Sequence, residues 1–333
     1  MSPILILIII LAVFFDFLNG IHDSSNIVAT MISSRAFRPQ TALGVTAAAH
    51  FLGPFLFGVA VAKTIGDEVV HFDTITIEVI IAALVGAIIW NLLTWFFGIP
   101  SSSSHALIGG IVGAVAVGVG FEAIQLRGLE KVLIALFVSP IIGFLIGFII
   151  TKVIFFLVRG ATPRINTFFK NSQIITATIL AFSHGTNDAQ KTMGVITLGL
   201  LIHGNITKFE VPMWVIAISA AAIALGTAFG GWRLIKTLGG KFYKIRPVHS
   251  FAAQLTSAFV ILSASLVGGP VSTTQVVSSA IIGVGSSERL SKVRWNVAGD
   301  IIIAWFITIP ATALVAAGVY WILTNTTILD KII

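Results

Sequence analysis

Asn19-Gly20-Ile21-His22-Asp23-Ser24-Ser25-Asn26 returns 165 positions later as His184-Gly185-Thr186-Asn187-Asp188-Ala189-Gln190-Lys191, with Phe17 and Phe182 in the same register. Each copy sets an aspartate beside an amide or imidazole within an apolar run, a costly placement that marks function inside a membrane. Equivalent positions in two halves therefore predict one site built from both.

The surrounding sequence repeats as well. Leu52-Gly53, Phe57-Gly58 and Lys63-Thr64-Ile65-Gly66 match Leu225-Gly226, Gly230-Gly231 and Lys236-Thr237-Leu238-Gly239 at a shift of 173. Pro100-Ser101-Ser102-Ser103-Ser104-His105 matches Pro270-Val271-Ser272-Thr273-Thr274-Gln275 at a shift of 170, and Pro140 matches Pro310 at that same shift. Landmarks in constant order divide the chain into an N-terminal repeat, 1–157, a basic connection, 158–172, and a C-terminal repeat, 173–333.

Composition places these halves in a membrane. Of 333 residues 56% are hydrophobic and only 10% charged, against roughly 25% charged in soluble domains, and the mean hydropathy is +1.02. Crossing a hydrocarbon core of ~30 Å takes roughly 20 apolar residues. Ten runs near that length occur at about 4–30, 41–62, 77–97, 102–120 and 132–157, then 173–201, 212–232, 248–268, 271–285 and 296–324. Pro3 to Phe15 lacks the basic n-region and small-residue cleavage site of a signal peptide and reads as the first membrane helix. The absence of cysteine excludes disulfides and thiolate metal sites. The net charge of +7 falls in short inter-helix segments, which fits cytoplasmic loops and not nucleic-acid binding. An all-helical pattern of this kind predicts a multi-pass protein of the cell (inner) membrane.

Five segments per half, an odd number, make the halves antiparallel across the bilayer. Loop charges agree: Asp67, Glu68 and Asp73 face the opposite side from Lys241, Lys244 and Arg246, while Arg159, Arg164 and Lys170 make the connection basic and cytoplasmic. Both termini then lie outside. Only a few polar residues separate the runs around Pro100 and Pro270, a pattern expected of re-entrant hairpins lining a polar cavity. The fold class expected is an all-α polytopic membrane protein of two inverted-topology repeats, with broken helices and re-entrant hairpins.

Two elements carry chemistry. Glycine at Gly20 and Gly185 predicts local unwinding of the first helix of each half, freeing carbonyls that coordinate a hard cation together with Asp23 and Asp188. Capping of a following half-helix is the plainer role for either aspartate. The hydroxyls at Ser101 to Ser104 and Ser272 to Thr274 open small-residue helices, where hydroxyl donors and N-terminal amides form an anion cradle; any one serine can instead bond a carbonyl one turn back. Ser104-His105 invites a nucleophile-and-base reading, but its counterpart Thr274-Gln275 has no imidazole, so an enzyme is not expected. An oxyanion beside two carboxylates is repelled by several kcal/mol in a low-dielectric site unless cations or protons intervene. Symport follows from that conflict.

These residues resemble the inorganic phosphate transporter (Pit) family of secondary carriers. Its G-A-N-D-x-x-N-A motif is similar to Gly20 to Ile27 and, more loosely, Gly185 to Thr192; its P-x-S-T-T-H motif is similar to Pro270 to Thr274 and, in serine-rich form, Pro100 to His105. Gly230-Gly231-Trp232-Arg233 with Ile235-Lys236-Thr237 also fits, so the likeness covers nearly the whole chain. The resemblance implies an inverted-repeat carrier of phosphate with a cation, commonly a homodimer. It assigns Asp23, Asn26, Asn187 and Asp188 to ion and substrate, and Ser102, Ser103, Ser272, Thr273 and Thr274 to phosphate, with Ser104 beside them.

Departures from the family pattern bear on the coupling ion. His22 stands where sodium-coupled members have Asn, and His50 where they often have Glu. Proton-coupled bacterial members share the Asn-Gly-x-His-Asp form, and imidazole carries a proton readily but ligates sodium poorly. His50 and His105 also read as packing residues. Lys191 stands opposite Asn26, so its ammonium replaces a bound sodium beside Asp188; the alternative is a lysine snorkelling to the interface. Asn19, His184, His50 and Gln190 complete the candidates. The expected function is import of inorganic phosphate with protons by alternating access, without a cofactor and with membrane lipid as surroundings. Divalent metal travels as a phosphate complex in the branch this chain resembles. Sodium-coupled phosphate symport, sulfate symport and a cation carrier or channel are the alternatives.

Overall fold

The computed structural model describes residues 2–70, 74–240 and 242–326; Asp73 and Lys241, used above for loop charge, lie outside the described residues. The first half comprises α1 (Pro3–Ser33), α2 (Pro39–Leu52), the short α3 (Ala60–Lys63), α4 (Ile77–Phe97), α5 (Ser103–Gly118) and α6 (Leu126–Leu157). The second answers with α7 (Ile165–Ile202), α8 (Met213–Phe229), α9 (Trp232–Gly240), α10 (Pro247–Leu266), α11 (Thr273–Glu288) and α12 (Trp295–Asn325). Among the described residues the one extended pairing is an isolated bridge between Val70 and Ile124.

The repeat is visible in the backbone. Six of the eight left-handed residues described fall at corresponding places in the two halves: Arg35 (φ 55°) and Gly204 (φ 75°) after the first helix of each half, Gly58 (φ 75°) and Gly230 (φ 76°) at a break, Gly98 (φ 67°) and Gly268 (φ 73°) before each proline. Glycine occupies five of these six places because it alone enters that region without steric cost. At the breaks, the segments Pro39–Phe55 and Ala60–Glu68 meet at 69°, and Met213–Phe229 and Trp232–Gly239 at 71°. Five helices, α1, α4, α6, α10 and α12, are long and apolar enough to cross a membrane, and the bent pairs raise the number to seven. The longest helix, α7, carries too many polar residues to pass on composition.

The broken helices therefore lie elsewhere than expected. Both α1 and α7 run unbroken through Gly20 and Gly185. Those glycines serve close approach instead: a Cβ on Gly20 would strike the Ile223 carbonyl of α8, and one on Gly185 would stand 2.8 Å from the backbone of His50 on α2. Unwinding and close packing leave the same mark in a sequence, and here packing of α1 on α8 and α7 on α2 is the reason. The connection is also shorter than 158–172, because α7 begins at Ile165 once Pro163 is past and no breaker follows.

Equivalent helices run in opposite directions. Ile8 of α1 meets Gly199 of α7, Asp23 meets His184, and Ser34, just past α1, meets Gln173, so residue numbers rise on one helix as they fall on the other. This antiparallel pairing is the inversion that the odd segment count implies. The halves also exchange partners: α5 packs on α12 and α11 on α6. Gly109 and Gly113 let α5 reach the α12 backbone at Ile309 and Ala313, and Gly143 and Gly147 of α6 do the same toward Val276 and Ala280 of α11, the small-residue spacing by which apolar helices approach closely. The loops after α4 and α10 consequently bring the starts of α5 and α11 together beside α1 and α7.

Candidate functional site

Four helices converge on a buried polar network. From α1 come Asn19, His22, Asp23 and Asn26; from α7 come His184, Asn187, Asp188, Gln190 and Lys191; all are buried. The Lys191 ammonium is bonded to Asp188 Oδ1 and donates at 3.1 Å to the Val271 carbonyl, which also accepts from Ser104 Oγ at 2.9 Å. His184 Nε2 lies 2.9 Å from Asp188 Oδ2 and 3.5 Å from Asp23 Oδ1. Asn26 Nδ2 donates at 3.0 Å to both Asp23 Oδ1 and Thr274 Oγ1, and Thr274 Oγ1 donates to Asp23 Oδ1 at 3.4 Å. One network thus joins both halves and both loop ends.

The electrostatics are legible from these contacts. The Asp23 and Asp188 carboxylates lie within 4.8 Å of each other, and like charges that close repel by several kcal/mol away from bulk water. Lys191 offsets this from one side and His184 from between. The snorkelling alternative for Lys191 is excluded, since its side chain is wholly buried. Asp23 Oδ2, Asn26 Oδ1 and Asn187 Oδ1 remain buried acceptors without a hydrogen-bond donor. Ligand atoms of Asp23, His184 and Asp188 lie within 4.8 Å of one another, a spacing that can hold a cation.

The two hydroxyl clusters begin the facing helices. Ser102 Oγ accepts from His105 N at 3.1 Å and Ser272 Oγ from Gln275 N at 3.3 Å, so both cap their helices. His105 Nδ1 turns back to Ser102 Oγ at 2.7 Å, and its Nε2 lies 3.4 Å from Gln275 Nε2. His105 thereby ties one loop end to the other, a packing role. Ser103 and Thr273, the first helical residues, are buried, and among the described residues their hydroxyls meet no partner. The cluster gathers two helix N-termini, hydroxyl donors and one ammonium, the equipment that favours an anion.

Other candidates sit one step away. His22 Nε2 pairs with the Asn91 carbonyl of α4 at 2.9 Å, and Asn91 Nδ2 donates to Asn19 Oδ1 at 2.9 Å. His22 therefore does not touch the carboxylates, and its repeat mate Asn187 likewise turns outward, to Ser265 Oγ at 2.8 Å and the Gly269 carbonyl at 3.2 Å. His50 Nδ1 bonds Thr227 Oγ1 at 2.7 Å, with its ring 5.4 Å from that of His184. Gln190 Oε1 accepts from Val61 N at 2.7 Å and so caps α3.

Sequence reading missed two features. Asp16 of α1 is fully buried, but the repeat places Ala181 opposite it, so a search for matched pairs passes over it. A buried seam also leaves the site: Gln254 Nε2 donates to Thr30 Oγ1 at 3.2 Å, Thr176 Oγ1 to Gln254 Oε1 at 2.6 Å, and Ser250 and Ser34 hydroxyls to Gln173 Oε1 at 2.8 and 3.1 Å. The seam ends at the face carrying Arg35, Arg38, Arg164 and Arg246 at helix ends. Its hydroxyls and amides are bland singly; only spacing along three helices would have linked them.

Comparison with known proteins fits this geometry. A profile of the phosphate transporter family matches the chain twice, over residues 19–164 and 158–316. A "Probable low-affinity inorganic phosphate transporter" of Rhizobium meliloti is 46% identical over 321 residues, covering 96% of either chain. Its namesake from Bacillus subtilis is 46% identical over 324 residues with the same coverage. A solved structure described as "The sodium-dependent phosphate transporter" superposes with a TM-score of 0.89 at 26% identity, covering 96% of this chain and 99% of that one.

Proposed function

Because the chain belongs to the phosphate transporter family and is a multi-pass membrane protein, not an enzyme, we propose that it imports inorganic phosphate together with protons by alternating access. Phosphate is held between the starts of α5 and α11, where Ser103, Ser104, Thr273 and Thr274 supply hydroxyls and Asn26 and Lys191 supply N–H donors. Asp23 and Asp188 take the coupling charge. The relatives' names support phosphate as cargo, and a phosphate complex of a divalent metal fits the same place, its metal meeting Asp23, His184 and Asp188. Two copies of the chain form the working unit.

The observation that carries proton coupling is the placement of Lys191 and His184. The ammonium lies on Asp188 and the imidazole lies between both carboxylates. Charges that a sodium-coupled site would balance with a bound ion are balanced here by groups that exchange protons. Sodium coupling is the second reading, favoured by the clustered ligand atoms of Asp23, His184 and Asp188 and by the name of the similar solved structure.

Phosphate uptake into reconstituted vesicles separates the two. An inward proton gradient should drive accumulation and a sodium gradient should not. His22→Asn, which restores the amide typical of sodium-coupled members, should leave proton-driven uptake within about threefold, because His22 bonds the Asn91 carbonyl and no carboxylate. If neither gradient drives accumulation, symport is wrong; if only sodium does, the second reading stands.

A further inference from the structure

Asp16 lies one turn before Asn19 and two turns before Asp23, on the same face of α1. It is 0% exposed, and no cationic side chain is bonded to its carboxylate. Across from it on α7, Thr192 turns an equally buried hydroxyl toward it. Its repeat counterpart is Ala181, so Asp16 is no remnant of the duplicated motif and no part of the symmetric framework.

A charge count isolates it further. Asp16, Asp23 and Asp188 share the surroundings of one ammonium, Lys191, with the His184 imidazole between the latter two. Lys191 is bonded to Asp188, and His184 spans Asp188 and Asp23. Both are committed, and Asp16 is the acid left over. A buried charge without a partner costs several kcal/mol even after relaxation. The acid form avoids this cost and can donate its O–H to Thr192 Oγ1.

The other titratable groups around this stretch are few. His22 shares α1, and His50 on α2 lies level with His184. The helix α8 carries no titratable residue, and α4 carries Glu78 in its first turn. Arg233 and Lys236 belong to α9, which meets α1 at Ala29 and Ser33, past the site from Asp16.

We infer that Asp16 is a proton-binding residue of the transport cycle, standing two turns before Asp23 on α1 and beside the Asp23–His184–Asp188 cluster. The inference rests on the symport reading above. Asp16 does not touch phosphate; it binds one proton from water on one side and returns it to water on the other, and so sets how much of the gradient each phosphate uses.

Vesicles reconstituted with wild type, Asp16→Asn and Asp16→Glu test this. One coupled proton across one pH unit is worth a factor of about ten in accumulation. Under a one-unit inward proton gradient, D16N should accumulate about tenfold less phosphate while still exchanging labelled for unlabelled phosphate at equal pH. D16E should recover gradient-driven accumulation. D16N accumulating as wild type does, or losing exchange along with accumulation while eluting as a monodisperse protein, overturns the inference. If D16N fails to reach the membrane, Thr192→Val decides, since it keeps the carboxyl and removes its facing hydroxyl: a displaced pH profile of uptake supports the inference and an unmoved one overturns it. Wild-type vesicles that take up no phosphate under any gradient would instead sink the symport reading.

Discussion

The two halves hold their carboxylates differently. On α1, Asp23 is met by an amide and a hydroxyl, Asn26 and Thr274. On α7, Asp188 is met by an ammonium and an imidazole, Lys191 and His184. The backbones match, down to paired left-handed residues and paired serine caps. Duplication therefore supplied a symmetric frame, and a few side-chain exchanges made one half cationic. A frame that aligns two helix starts favours an anion; on the symport reading proposed above, the asymmetry decides what travels with it.

The sharpest way to break the comparison is to make the α7 half resemble the α1 half. Lys191→Asn leaves Asp188 with the His184 imidazole alone. Losing one member of a buried charged pair costs about 3–5 kcal/mol, so phosphate uptake in sodium-free vesicles should fall by two orders of magnitude or more, with part restored by added sodium. Unchanged sodium-free uptake would remove Lys191 from the coupling site.

Next in size is a test of the shared frame. Gly20→Ala and Gly185→Ala should both lower the thermal midpoint of the detergent-solubilised protein, because each added methyl meets backbone of the neighbouring helix. Overpacking of this kind costs about 1–3 kcal/mol, and Gly20→Ala should cost more, having the closer obstacle. Opposite effects in the two halves would mean that one glycine serves something besides packing.

The smallest effect sharpens the view of the caps. Ser102→Ala and Ser272→Ala each remove an N-cap, worth about 1 kcal/mol. Ser102→Ala should shift the melting midpoint more, because Ser102 also holds His105 Nδ1. Equal shifts would show that this second bond adds nothing.

Much of this could be read before any coordinates. Proline, glycine and buried carboxylates recur in register because a repeat must keep what shapes its backbone, and Lys191 stood out as a mismatch within a match. The break points were harder: Gly20, Gly58, Gly185 and Gly230 look alike as letters, yet two let helices touch and two turn the chain. His184 is one candidate among several in the sequence, and only the antiparallel crossing of α1 and α7 sets it between two carboxylates. Asp16 had no mate at all.

The exchange of partners between halves bears on how the chain is made. The helix α5 finds its surface on α12, and α11 finds its own on α6. An emerging polypeptide can deliver α1 to α4 into the bilayer in order and lay α5 against α4, but the larger surface of α5 stays open until α12 is made. The first half thus waits, half-assembled, through synthesis of the second. The docking of the last helix on α5 and α4 closes that face.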